Sequence, residues 1–182
     1  MPSAPITARH ELMTPPQARR LFAYNRRLFE RYSRRIAKMP WEEANRNRGT
    51  GHLSLFGTLV HILQVHEVWI CYITQHRSTD DELEKLFNDP IRKPRDWKQF
   101  KFYQRRVWSC IDDYLSKLTG SEMRRTVHVF WMPGRYTVSD AFMQTTFEQA
   151  HHIGEIIGSM WQDDIEPPDM TWIGIGRAIS GK

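Results

Sequence analysis

The sequence predicts a mainly α-helical, antiparallel bundle in a single domain, and three observations predict it. Four long stretches carry apolar residues at the helical period, helix-start and helix-stop residues punctuate them, and the β-rich residues suffice for one small hairpin. The chain has 182 residues, 40% hydrophobic and 12% aromatic, which is enough to bury a core without staples.

Thr14 followed by Pro15 and Pro16 opens the first helix, because proline is tolerated in a first turn, and Pro40 stops it near residue 39. Leu21, Phe22, Asn25, Leu28, Phe29, Tyr32 and Ile36 share one face of it. Asn25 sits within that apolar face and needs hydrogen-bond partners, so it is either a core amide bonded to a neighbouring helix or a residue lining a polar site. Residues 41–54, rich in Asn and Gly, read as a loop. A second helix over residues 54–75 is apolar around much of its circumference and belongs in the middle of the bundle.

Residues 77–95 are charged, contain Pro90 and Pro94, and read as an excursion with a short helix over 80–87. The third helix starts near Asp96, carries Phe100, Tyr103, Val107, Ile111, Tyr114 and Leu118 on one face, and ends with Gly120 as the residue just past its end. Runs 126–131 and 135–138, around Pro133-Gly134, predict the hairpin. Ser139-Asp140 then cap a fourth helix over 140–162, followed by a Pro- and Gly-containing tail. Residues 1–12 and 171–182 are expected to be loosely ordered.

Composition narrows the function. No run of about eighteen apolar residues is present and the first eleven residues lack a signal peptide's apolar segment, so a cytoplasmic protein without membrane contact is expected. Cys71 and Cys110 lie far apart in apolar helical patterns, without zinc-finger spacing, and read as reduced buried thiols. The net charge of +5 comes largely from a stripe of Arg20, Arg27, Arg31, Arg34 and Lys38 on the first helix. No recognition motif accompanies it, so it reads as a solvated face and no nucleic-acid partner is expected.

One constellation carries chemistry. Glu148 and His152 are four residues apart on the fourth helix, so they stack on one face within reach of a single ion. His61, on an apolar stretch of the second helix, supplies a third ligand, and His66 on the same helix competes with it. His151 points about 100° from His152 and belongs to a supporting position or the surface. Two imidazoles and a carboxylate suit zinc, nickel or iron, with coordination positions left open for substrate. Glu67, Glu155 and Tyr24 are candidate acid or base groups, and structural pairing explains them equally well.

Phe22-Ala23-Tyr24-Asn25, the run Asn45-Arg46-Asn47-Arg48-Gly49-Thr50-Gly51 leading to Gly57-Thr58-Leu59-Val60-His61, and His151-His152-Ile153-Gly154-Glu155-Ile156 together resemble the DinB-like metal-binding four-helix bundle family. Pro167-Pro168-Asp169-Met170 resembles that family's closing segment, so the resemblance covers nearly the whole chain. It implies an up-down-down-up bundle, often a homodimer, with a divalent metal held by one histidine of the second helix and a histidine pair on the last. Carried over, these are His61 and His152, with position 148 as the third ligand. The chain departs there, since Glu148 stands where the family has histidine; this lowers the site's charge by one and shifts the expected metal toward iron, manganese or zinc. The expectation is a metal-dependent enzyme of the thiol-transferase or hydrolase type acting on a small molecule such as a low-molecular-weight thiol. The alternative is a noncatalytic dimeric helical module with a degenerate metal site.

Overall fold

The computed structural model describes residues 13–75, 79–129 and 131–173; most of the stretches expected to be loosely ordered, 1–12 and 174–182, lie outside them. The fold is mostly helical with one small two-stranded antiparallel sheet. Helix α1 spans Pro15–Ile36, α2 Trp41–Asn45 and α3 Leu55–His66. The helical path of α3 continues as a π-wound segment, Glu67–Ile73, followed by α4 (Asp80–Asn88) and a 3₁₀ turn (Pro90–Arg92). Then come α5 (Trp97–Ser116), α6 (Gly120–Arg124), strands β1 (Thr126–Val127) and β2 (Tyr136–Thr137), and α7 (Val138–Gln162).

The helix starts obey local chemistry. Thr14 and Gln17 form a reciprocal capping box, Ser54 accepts from the Gly57 N–H, and Asp96 accepts from the Gln99 N–H, which satisfies orphan donors of the first turns. Thr137, not Ser139 or Asp140, caps α7, and Asp140 completes its capping box from the third position. The third helix also ends earlier than its expected glycine: Lys117 is its C-cap, and Gly120 opens α6 under the Thr119 cap. The expected hairpin forms in the register Thr126 with Thr137 and Val127 with Tyr136; Phe130, within its expected first run, lies outside the described residues.

Four long helical stretches, α1, α3 with its π segment, α5 and α7, pack against one another. Their shared core includes Phe22, Phe29, Tyr32, Leu59, Ile62, Phe100, Tyr103, Phe142 and Ile153, all essentially without solvent exposure. The stretch Leu55–Ile73 is long and apolar enough in composition to cross a membrane, but 72% of it is buried inside this fold. Asn25 takes the core-amide option: it is 1% exposed, its side chain donates to Thr146 Oγ1 at 3.0 Å, and its carbonyl accepts from Gln149 Nε2 at 2.8 Å, tying α1 to α7.

The π winding is where helix two departs from the regular pattern. The Thr74 N–H reaches back five residues to the Trp69 carbonyl, at 3.1 Å. Its first residue, Glu67, is buried with Arg92, whose Nε lies 3.0 Å from Glu67 Oε2 without aiming its N–H along that line. Tyr103 donates to the same oxygen at 2.7 Å, which supplies a well-formed hydrogen bond. Glu67 is thus a structural group. Cys71 of the π segment and Cys110 of α5, expected as separate thiols, are joined in a disulfide with Cα atoms 6.2 Å apart.

Candidate metal centre

The site lies where the start of α3, the loop before it and the middle of α7 converge. His61 projects from the second turn of α3, and His152 from α7, two elements that pack closely along their length. Their rings are 4.5 Å apart between centroids and nearly perpendicular. The loop contributes a third imidazole, His52, stacked on His61 at 3.6 Å and 5.0 Å from His152. A nitrogen from each of the three rings falls within 4.8 Å of the other two.

The backbone holds His52 there. The Ser54 N–H donates to the His52 carbonyl at 2.7 Å, a three-residue turn that forces the intervening Leu53 to φ +64°. A positive φ is uncommon for a branched apolar residue and is strained. Gly57 makes the close approach feasible, because a Cβ on it would stand 2.3 Å from that same carbonyl. Upstream, the buried Arg48 anchors the loop: it donates through Nε to Asp163 Oδ2 at 2.7 Å and through Nη1 to the Glu43 carbonyl at 2.9 Å. The hydrogen bonds from Arg48, then Arg46, hold the Asp163 carboxyl below its ordinary range. The His52 loop is therefore tied to the end of the helix that carries His152.

The charge state suits ligation. Burial first, then the neighbouring His52 and His152 rings, pushes the His61 imidazole down to about 4, so it is neutral with a free lone pair near pH 7. His52 is lowered by burial and by His152. His152 is 6% exposed, and its Nδ1 lies 2.8 Å from Glu155 Oε2. Partial burial works against the Glu155 carboxylate, but the hydrogen bond with His152 and the surrounding imidazoles outweigh it and hold the carboxyl below its usual value. With Glu155 ionised and acceptor-only, Nδ1 is the nitrogen that donates to it, so in the neutral ring the lone pair falls on Nε2, an arrangement that orients metal-binding histidines.

The sequence-derived candidates separate. His61 and His152 meet. Glu148 adjoins the cluster at His152, its Oε2 3.5 Å from Nε2, while its Oε1 accepts from Gln144 Nε2 at 2.7 Å. His151 is exposed and faces Glu155, with Nε2 3.6 Å from Oε1. His66 is excluded from the cluster: it is fully buried between Phe22 and Trp108, with Nδ1 2.9 Å from the Ile62 carbonyl. Tyr24 donates to the Met170 carbonyl and packs on Trp172, which places it with the closing segment. Asn25 is held in the α1–α7 contact described above. Spacing arguments do not find His52 because it lies in a loop; a histidine four residues after the run Asn45-Arg46-Asn47-Arg48, and nine before His61, has no helical periodicity to mark it.

Searches with the sequence find no match among models of known protein families and none among curated proteins.

Proposed function

We propose that the chain is a divalent-metal protein of the DinB-like type, an up-down-down-up four-helix bundle in which His52, His61 and His152 hold the ion. The observation that carries the reading is the convergence of three imidazoles, two of them pushed toward neutrality, with the third oriented by Glu155. The donor set fits a borderline ion such as zinc, nickel or iron, and three ligands leave room for a substrate atom. Glu148 is retained beside the site, but His52 takes the third-ligand role that the sequence alone gives to Glu148.

As an enzyme the chain fits the metal-dependent transferase or hydrolase class. The chemistry supplied on metal binding is Lewis acidity toward a ligating oxygen or thiol. The protein's own groups do the rest. Glu155 fixes the tautomer of His152, Arg48 and Gly57 position His52, and Gln144 holds Glu148 where its carboxylate can accept a proton from a substrate group lodged next to His152.

Elemental analysis of untagged protein, before and after incubation with zinc, tests the assignment. About one equivalent per chain is expected in the parent protein, falling in folded His52→Ala, His61→Ala and His152→Ala variants. Glu148→Ala should keep its stoichiometry and bind more weakly. A parent protein that stays metal-free with zinc, nickel, iron and manganese would sink the reading; loss of stoichiometry in Glu148→Ala with retention in His52→Ala would return the third ligand to Glu148.

A further inference from the structure

We propose that the cleft on the far side of His61 binds the aromatic body of an anionic small molecule, with Lys93 as its counter-charge. The cleft encloses about 540 Å³, within the range of small-molecule sites, and its walls are mostly apolar. Trp69 and Trp131 meet edge to face there at 5.6 Å, and Val68 and Phe87 line the same cleft, Phe87 beneath the Arg92 guanidinium at 5.1 Å. Phe87 and Trp131 remain 46% and 44% exposed, large aromatic faces turned outward on the rim of a concave surface. Flat, rigid walls of this kind offer stacking and edge contacts to an aromatic ring.

The charges at the cleft argue for an anion. Arg92 is buried and neutralised by Glu67, so it contributes a stacking surface in place of a free charge. Lys93 is exposed at the mouth, and no carboxylate stands within ion-pair distance of its ammonium among the described residues. A second, smaller cavity of about 430 Å³ adjoins through the shared residues His61, Gln64, Arg92 and Lys93 and includes His52. Gln64 keeps this wall in place by donating to the Arg92 carbonyl at 2.8 Å. An aromatic anion seated between the tryptophans and Lys93 thus presents its remaining substituent to His61. That last step, which makes the occupant a substrate, rests on the metal reading; occupancy of the cleft does not.

The test compares 2-naphthoate with its neutral isostere 2-naphthamide, titrated against the full chain by tryptophan fluorescence, with zinc content measured on the same samples. Naphthoate should bind about three- to fivefold more tightly than the amide, a preference of the size an exposed ion pair supplies. The preference should vanish in Lys93→Met, and Trp131→Ala, a change at an exposed rim position, should weaken both compounds. Equal binding of the two compounds by the parent protein, an undiminished preference in Lys93→Met, or unchanged binding in Trp131→Ala would each overturn the proposal. Zinc bound without naphthoate discrimination overturns the cleft alone; discrimination without zinc supports the cleft and overturns the metal reading.

Discussion

His66 shows how one residue type meets two environments in a single helix. Five positions after His61, it has been taken out of water entirely, and desolvation drives its imidazole down to about 4 despite the hydrogen bond to the Ile62 carbonyl. Its Nδ1 bears the proton that the carbonyl accepts, and Nε2 has no partner among the described residues. Because the folded value lies below the unfolded value near 6.5, the unfolded chain binds the extra proton first as pH falls. The stability associated with neutral His66 is therefore complete above about 6.5 and drains away through about 4. In His66→Leu the acid-side decline should be smaller than in the parent by about 2–3 kcal/mol between pH 7 and 4.5, read from urea unfolding. Parallel stability curves for the two proteins would show that His66 is not the group responsible. Periodicity alone nominates both histidines as ligands, and only the family resemblance puts His61 ahead of His66; both sit on apolar helix, and tertiary packing decides which ring meets other imidazoles.

At the scale of the element, the His52 loop and the π segment mark where reading by period stops. Thr14, Asp96 and the two runs that became β1 and β2 announce themselves locally, and so they are legible. The loop's path is not. It depends on Arg48 reaching Asp163, more than a hundred residues away, and on a turn that places Leu53 at positive φ. The extra residue in the π winding is equally silent; the winding begins at Glu67, which packs against Arg92 and Tyr103 from other elements, contacts that no local pattern announces. Gly57 is the point at which loop and helix depend on each other. Adding a methyl group in Gly57→Ala forces the His52 carbonyl away, so zinc affinity should fall about tenfold or more although no ligand has been changed. Competition with a chromophoric chelator measures this; an affinity equal to the parent's would mean that His52 contributes little to holding the ion. The same measurement on Leu53→Gly, which relieves the turn without crowding it, should show no comparable loss.

Across the whole molecule, the Cys71–Cys110 bond joins the π segment to α5 and spans 39 residues of chain, including α4 and the 3₁₀ turn that walls the Lys93 cleft. Spacing could not reveal the pair: neither cysteine belongs to a short motif, and the two come together only because the π segment and α5 pack side by side. Closing a loop of this length restricts the unfolded chain, and the chain-entropy argument puts its contribution near 4 kcal/mol. Denatured, unreduced protein should therefore present no titratable thiol, and a Cys71→Ala/Cys110→Ala protein should unfold at lower urea concentration, with a deficit up to that size. The deficit should persist when both proteins carry zinc, because the three histidines lie on α3, α7 and the loop before α3 and not on the bridged segment beyond them. Two free thiols in the denatured parent would remove the covalent link and leave only packing of two buried sulfurs. In that case the double alanine variant would lose the smaller amount expected for truncating two small core side chains, and reducing agent would leave the parent's stability unchanged.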